Sequence, residues 1–76
     1  MIKSAHTVIV RFSPIKKNSE AFSDKILEIE GATISGGSYA SYPSITVFRE
    51  DWERAKKVES AIINIIEEHG GKVIND

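Results

Sequence analysis

Cysteine is absent from this chain, and with it go disulfides, thiolate metal sites and a thiol nucleophile. Neither sign of charge dominates: ten Lys and Arg stand against eleven Asp and Glu, a net charge of −1. Acids and bases are interspersed rather than blocked, so the long-range pull toward nucleic acid is weak. No run of 18 apolar residues occurs, and no apolar h-region follows Met1 to Lys3. Neither a membrane span nor export is expected, and the lack of cysteine suits a reducing, cytoplasmic compartment. With 76 residues there is room for one core and no second domain. A core of this size supplies only a few kcal/mol, roughly 3 to 5, so association with a second copy or a partner is a natural expectation.

What is present is ordered by hydrophobic period. His6 to Phe12 alternates, which predicts a strand with Val8, Val10 and Phe12 toward the core and Thr7, Ile9 and Arg11 away from it. Ser13-Pro14 breaks it. Asn18 or Ser19 can cap a helix running to about Ile29, because Phe22, Ile26 and Ile29 recur at helical spacing, and Gly31 is its expected stop. A weaker strand follows from Ala32 to about Tyr39, interrupted at Gly36-Gly37. Ser41 to Ser44 is the expected reversal into Ile45 to Phe48, with Ile45 and Val47 inward and Thr46 and Phe48 outward. The second helix starts at Asp51 and carries a stripe of Ala55, Val58, Ile62, Ile65, Ile66 and His69 before Gly70-Gly71 ends it. The order is βαββα, or βαββαβ if Lys72 to Ile74 adds a fourth strand. Either gives an α+β two-layer sandwich, an antiparallel sheet of three or four strands with both helices on one face.

Residues that could carry chemistry are few. His6 and His69 stand in no metal-ligand spacing and beside no clear Ser or Asp partner, and they read as ordinary surface or core-edge residues. The acidic neighbours Glu28 and Glu30, Glu50 and Asp51, and Glu67 and Glu68 fall at helix ends or on solvated faces. Ile34-Ser-Gly-Gly-Ser38 lacks the spacing of a phosphate loop and opens no helix. No nucleophile, base and oxyanion donor can be assembled, so neither an enzyme nor a cofactor site is expected.

Apolar residues beyond the needs of the core are more informative. Leu27 lies off the inward stripe of the first helix, while Trp52 and Ile63 flank the stripe of the second beside Lys56 and Ser60. These five predict a partner-docking surface on the helical layer. If both helices cover one sheet face, Ile9 and Phe48 remain on the other, and with free strand edges they predict a homodimer.

The succession His6-Thr-Val-Ile-Val-Arg-Phe12, Asn18 to Leu27, Ile45-Thr-Val-Phe48, then Asp51 followed by Lys56, Val58, Ser60, Ile62 and Ile63 resembles the small dimerisation subunit of the KEOPS (EKC) complex, the CTAG/Pcc family. The resemblance covers about residues 6 to 66. It implies two helices on a three-stranded sheet and dimerisation through that sheet. It also implies a non-catalytic scaffold for threonylcarbamoyl-adenosine synthesis on tRNA, docking the catalytic ATP-binding subunit through its helices and assisting tRNA binding. Asp51 matches the acidic residue at the start of the second helix, and Ser60 falls in a small polar stretch. Lys56 stands where the family has arginine, keeping the charge and losing the planar fork. The segment between the second and third strands matches poorly, and the tail from Gly70 to Ile74 is not covered.

Two further readings stay open. One is a ligand-sensing module of the ACT or RAM kind, which needs the fourth strand and often seats its ligand near a glycine turn such as Gly36-Gly37. The other is autonomous nucleic-acid binding through Lys16, Lys17, Arg49, Arg54, Lys56 and Lys57.

Overall fold

In the computed structural model, residues 6–36 and 42–74 are described. Among them the chain forms β1 (His6–Phe12), α1 (Ser19–Leu27), β2 (Thr33–Ser35), β3 (Ser44–Arg49), α2 (Trp52–Glu68) and β4 (Val73–Ile74). The fourth strand therefore forms, and the order is βαββαβ. All pairings are antiparallel and the sheet runs β2-β3-β1-β4, the split βαβ arrangement. Gly37 and Tyr39, and the start of the expected reversal at Ser41, lie outside the described residues.

Alternation along β1 and β3 does what the period requires. Val8, Val10, Phe12, Ile45 and Val47 are buried against the helices, joined by Phe22, Ile26, Ala32, Ala55, Ile62 and Ile66, with no buried polar residue among the described ones. Register puts Val8 opposite Val47 and Val10 opposite Ile45, so the inward residues of neighbouring strands meet in pairs. The other face carries Thr7, Ile9 and Arg11 beside Phe48, Thr46 and Ser44.

The two helices are held differently. Asp51 caps α2 by accepting from the Glu53 N–H at 3.1 Å. At its far end Gly70, with φ 79°, donates to the Glu67 carbonyl and Gly71 to that of Ile66, the double bond of a Schellman cap. Asn18 stands at the N-cap of α1, but in left-handed backbone (φ 53°, ψ 44°) and with no side-chain capping bond. Its side chain does not do the capping that its position suggests; its role is to tolerate that backbone. The α1 helix also ends at Leu27, two residues before the reach of the Phe22-Ile26-Ile29 spacing. Ile29 packs on the core from the turn that follows, where it donates to the Ile26 carbonyl at 3.0 Å.

Candidate interaction surfaces

Among the described residues no group of three His, Asp or Glu is placed to hold a metal ion. Both histidines have structural neighbours. The His69 ring lies 5.4 Å from that of Phe22, and its Nδ1 is 2.9 Å from the Ile65 carbonyl, which can only accept, so Nδ1 carries the proton. The His6 ring meets Trp52 edge-on at 5.1 Å. What remains for interaction is the outer surface: Ile9, Leu27, Tyr42, Phe48 and Trp52 are all more than half exposed.

Ile9 and Phe48 sit together. Ile9 is opposite Thr46 and Thr7 is opposite Phe48, so Ile9 and Phe48 are diagonal neighbours on the sheet face that neither described helix covers, each 60% exposed.

The five helical residues do not form one surface. Lys25 Nζ reaches Glu68 Oε2 at 3.5 Å, which marks the flank by which each helix faces the other. Leu27 is roughly 160° around α1 from Lys25, and Trp52 roughly 160° around α2 from Glu68. Leu27 therefore stands on the far flank of α1, over the β2 side of the sheet, and Trp52 on the far flank of α2, over the β1 side. Lys56 stays with Trp52, its Nζ 5.3 Å from the ring centroid. Ile63 shares that flank but is half-buried and packs on the core, so it serves both, while Ser60 is exposed between flank and crest.

The basic residues are divided too. Lys16 and Lys17 border a cleft with Ser13, Pro14, His69 and Gly70 at the Phe12 end of β1. Arg49 and Arg54 line another at the opposite end, mixed with Glu30, Glu50 and Asp51. Arg49 also donates from Nη1 to the Phe48 carbonyl at 2.9 Å. Lys57 is exposed on α2.

Two residues that were not candidates for an interaction surface, Thr7 and Glu59, border another cleft. His6, Thr7 and Val8 of β1 and Trp52, Ala55, Lys56 and Glu59 of α2 line a cleft of about 110 Å³ along the edge of the sheet. Thr7 and Glu59 gain their meaning from the strand order, which the alternation of a single strand does not reveal. Comparison with family models, with curated proteins and with solved structures finds no match to this chain.

Proposed function

We propose that this chain is a non-catalytic scaffold that pairs with a second copy of itself and docks a larger protein on its helical layer. From the resemblance of residues 6 to 66, the assembly is the KEOPS complex: the docked protein is the catalytic ATP-binding subunit, and tRNA is bound by the whole. The observation that carries the reading is the pair Ile9 and Phe48, large apolar side chains at 60% exposure side by side on a sheet face that none of the described elements covers. The core, eleven buried residues among those described, leaves a slim folding margin that association would supplement. Leu27, 59% exposed on the outer flank of α1, is the anchor proposed for the catalytic subunit.

Light scattering after size-exclusion chromatography tests both halves, on the chain alone and mixed with a candidate KEOPS catalytic subunit. The expected result is a dimer that gains the subunit, with Leu27→Asp losing the subunit and Phe48→Asp losing the dimer. Ile63 is a poorer probe because it also packs on the core. A monomer indifferent to the subunit overturns the reading.

The paired fourth strand meets the structural requirement of the ligand-sensing reading, which a set of metabolite titrations by calorimetry would test. Autonomous nucleic-acid binding draws less support, because its basic residues lie at opposite ends of the sheet with acids among them.

A further inference from the structure

Charge is matched differently at the two ends of the sheet. At one end Arg49 and Arg54 share a cleft with Glu30, Glu50 and Asp51, so an incoming anion meets two guanidinium groups already offset by three carboxylates. At the Phe12 end two clefts adjoin. One holds Lys16 beside Ser13, the other Lys25 beside Glu68, and Lys17, His69 and Gly70 line both. They are two lobes of one trough. Its charged lining is three lysines against the single carboxylate of Glu68, in a chain whose acids outnumber its bases by eleven to ten.

Local structure holds the trough in shape. Ser13 N–H donates to the Lys72 carbonyl at 2.8 Å and Ser13 Oγ accepts from the Lys72 N–H at 2.9 Å, which ties the segment carrying Lys16 and Lys17 to the chain after α2. The hydroxyl accepts there and keeps its own proton to donate. The His69 ring, 5.4 Å from that of Phe22 and bonded through Nδ1 to the Ile65 carbonyl, is a fixed wall between the lobes. No ion pair among the described residues engages Lys16 or Lys17. Lys25 does meet Glu68 at 3.5 Å, but the two side chains are 52% and 61% exposed. A pair so solvated is weak, and a second anion can share its cation.

We propose that this trough binds a diphosphate group, one phosphoryl group in each lobe. Lys16 and the Ser13 hydroxyl serve the first, Lys25 serves the second, and Lys17 reaches both. Lysine suits the task, because it meets phosphate as a mobile point charge and needs no planar partner. A carboxylate, with its one charge, would leave most of the lining unmatched, whereas two joined phosphoryl groups bring enough charge for three ammonium groups. The trough stands at the start of α1 and the end of α2, apart from the sheet face of Ile9 and Phe48 and from Leu27 at the far end of α1. It therefore adds a small-molecule site to the scaffold and is independent of that reading.

The test is calorimetric titration of the full chain with pyrophosphate at low ionic strength, where exposed charges are least screened. Saturable binding is expected, with amide chemical shifts moving at Lys17 and Gly70 and not at Arg54. Lys17→Gln weakens binding about tenfold or more, and Lys16→Gln or Lys25→Gln about three- to fivefold, each variant keeping the parent circular dichroism. Glu68→Gln, which removes the one carboxylate, tightens it about twofold, while Arg54→Gln at the other end changes nothing. Orthophosphate fills one lobe at a time and binds about tenfold more weakly or worse. A nucleoside diphosphate that binds tighter than pyrophosphate marks the diphosphate end of a larger molecule as the ligand, and one that binds equally or more weakly marks free diphosphate. Three results overturn the proposal: no saturation, shifts centred on Arg49 and Arg54, or a single-stranded oligonucleotide held by the same lysines that pyrophosphate fails to displace. None of them bears on the scaffold, which Leu27→Asp and Phe48→Asp test separately.

Discussion

The two ends of β1 are built from the same alternation and end up in different states. At the Phe12 end the strand has neighbours on both sides, Ser13 and Lys72 exchange two hydrogen bonds through Ser13 N–H and Oγ, and the Phe12 side chain is 2% exposed. At the His6 end, among the described residues, it pairs with β3, with Ile9 at 60% exposure and Trp52 leaning on His6. Closing one end takes the whole C-terminal turn: the Schellman cap at Gly70-Gly71 reverses the chain sharply enough for two residues to pair as β4. The lesson is that a strand's inward side chains determine whether it is buried, while its backbone edge is decided by chain far away in sequence. Among the described residues, Phe12 is deeply buried at the closed end, and exposed apolar side chains, Ile9, Phe48 and Trp52, stand toward the open one.

The largest effect expected is at the closed end. Phe12→Ala removes a buried ring whose centroid lies 5.2 Å from that of Phe22, tilted 56° to it, a loss of about 3–5 kcal/mol that equals the whole folding margin of so small a core. Urea titration followed by far-ultraviolet circular dichroism should show no folded baseline; a cooperative transition near the wild-type midpoint would mean that the closed end does not hold the fold together.

Gly71→Ala comes next and acts on the closure itself. A Cβ there would stand 2.6 Å from Ile15 Cδ1 and 2.8 Å from Ile66 Cγ2, closer than real contacts allow. Overpacking of that kind costs about 1–3 kcal/mol. Because Gly71 also donates to Ile66 in the cap, the strain falls on the turn that delivers β4. The Ser13 amide, which donates to Lys72, should then lose its protection in hydrogen exchange while Val8 and Val10 keep theirs, making the two ends of β1 alike.

How much of this the sequence discloses follows the same division. The inward faces of β1 and β3, the α2 stripe and its Asp51 cap are legible because each repeats a period or places a known cap residue. β4 is two residues long, too short for any period, and it depends on a close approach at Gly71 that only the fold reveals. The end of α1 is misread for a related reason: Ile29 keeps the helical spacing because it packs on the core, yet it does so from a turn. Of the candidate site, the exposed residues Leu27, Trp52, Ile9 and Phe48 were legible one by one. Ile9 and Phe48 were legible as a pair on one sheet face too, but the separation of Leu27 from Trp52 was not, since it requires knowing that Lys25 and Glu68 face each other.

A middle-sized effect separates the two helices. Asp51→Ala removes the bond to the Glu53 N–H and should cost about 1 kcal/mol. Asn18→Gly removes no side-chain cap and relieves left-handed backbone, so its change should stay within a few tenths of a kcal/mol. Equal losses in thermal melts would show that Asn18 contributes something its geometry does not display.

The smallest effect on folding is expected at the open end. Ile9→Thr and Phe48→Thr exchange exposed apolar side chains for ones that suit a strand, and weakening so exposed and diagonal a cross-strand pair costs the lower part of about 0.2–1 kcal/mol. Measured by urea titration at a concentration low enough to keep the chain monomeric, both variants should fall within about 0.5 kcal/mol of the parent. The proposed homodimer predicts that at higher concentration the parent gains stability and the variants do not, so that the gap between them widens with concentration. A gap that is already large in the monomer would mean that Ile9 and Phe48 serve the core of one copy, and that the open end is no more available for binding than the closed one.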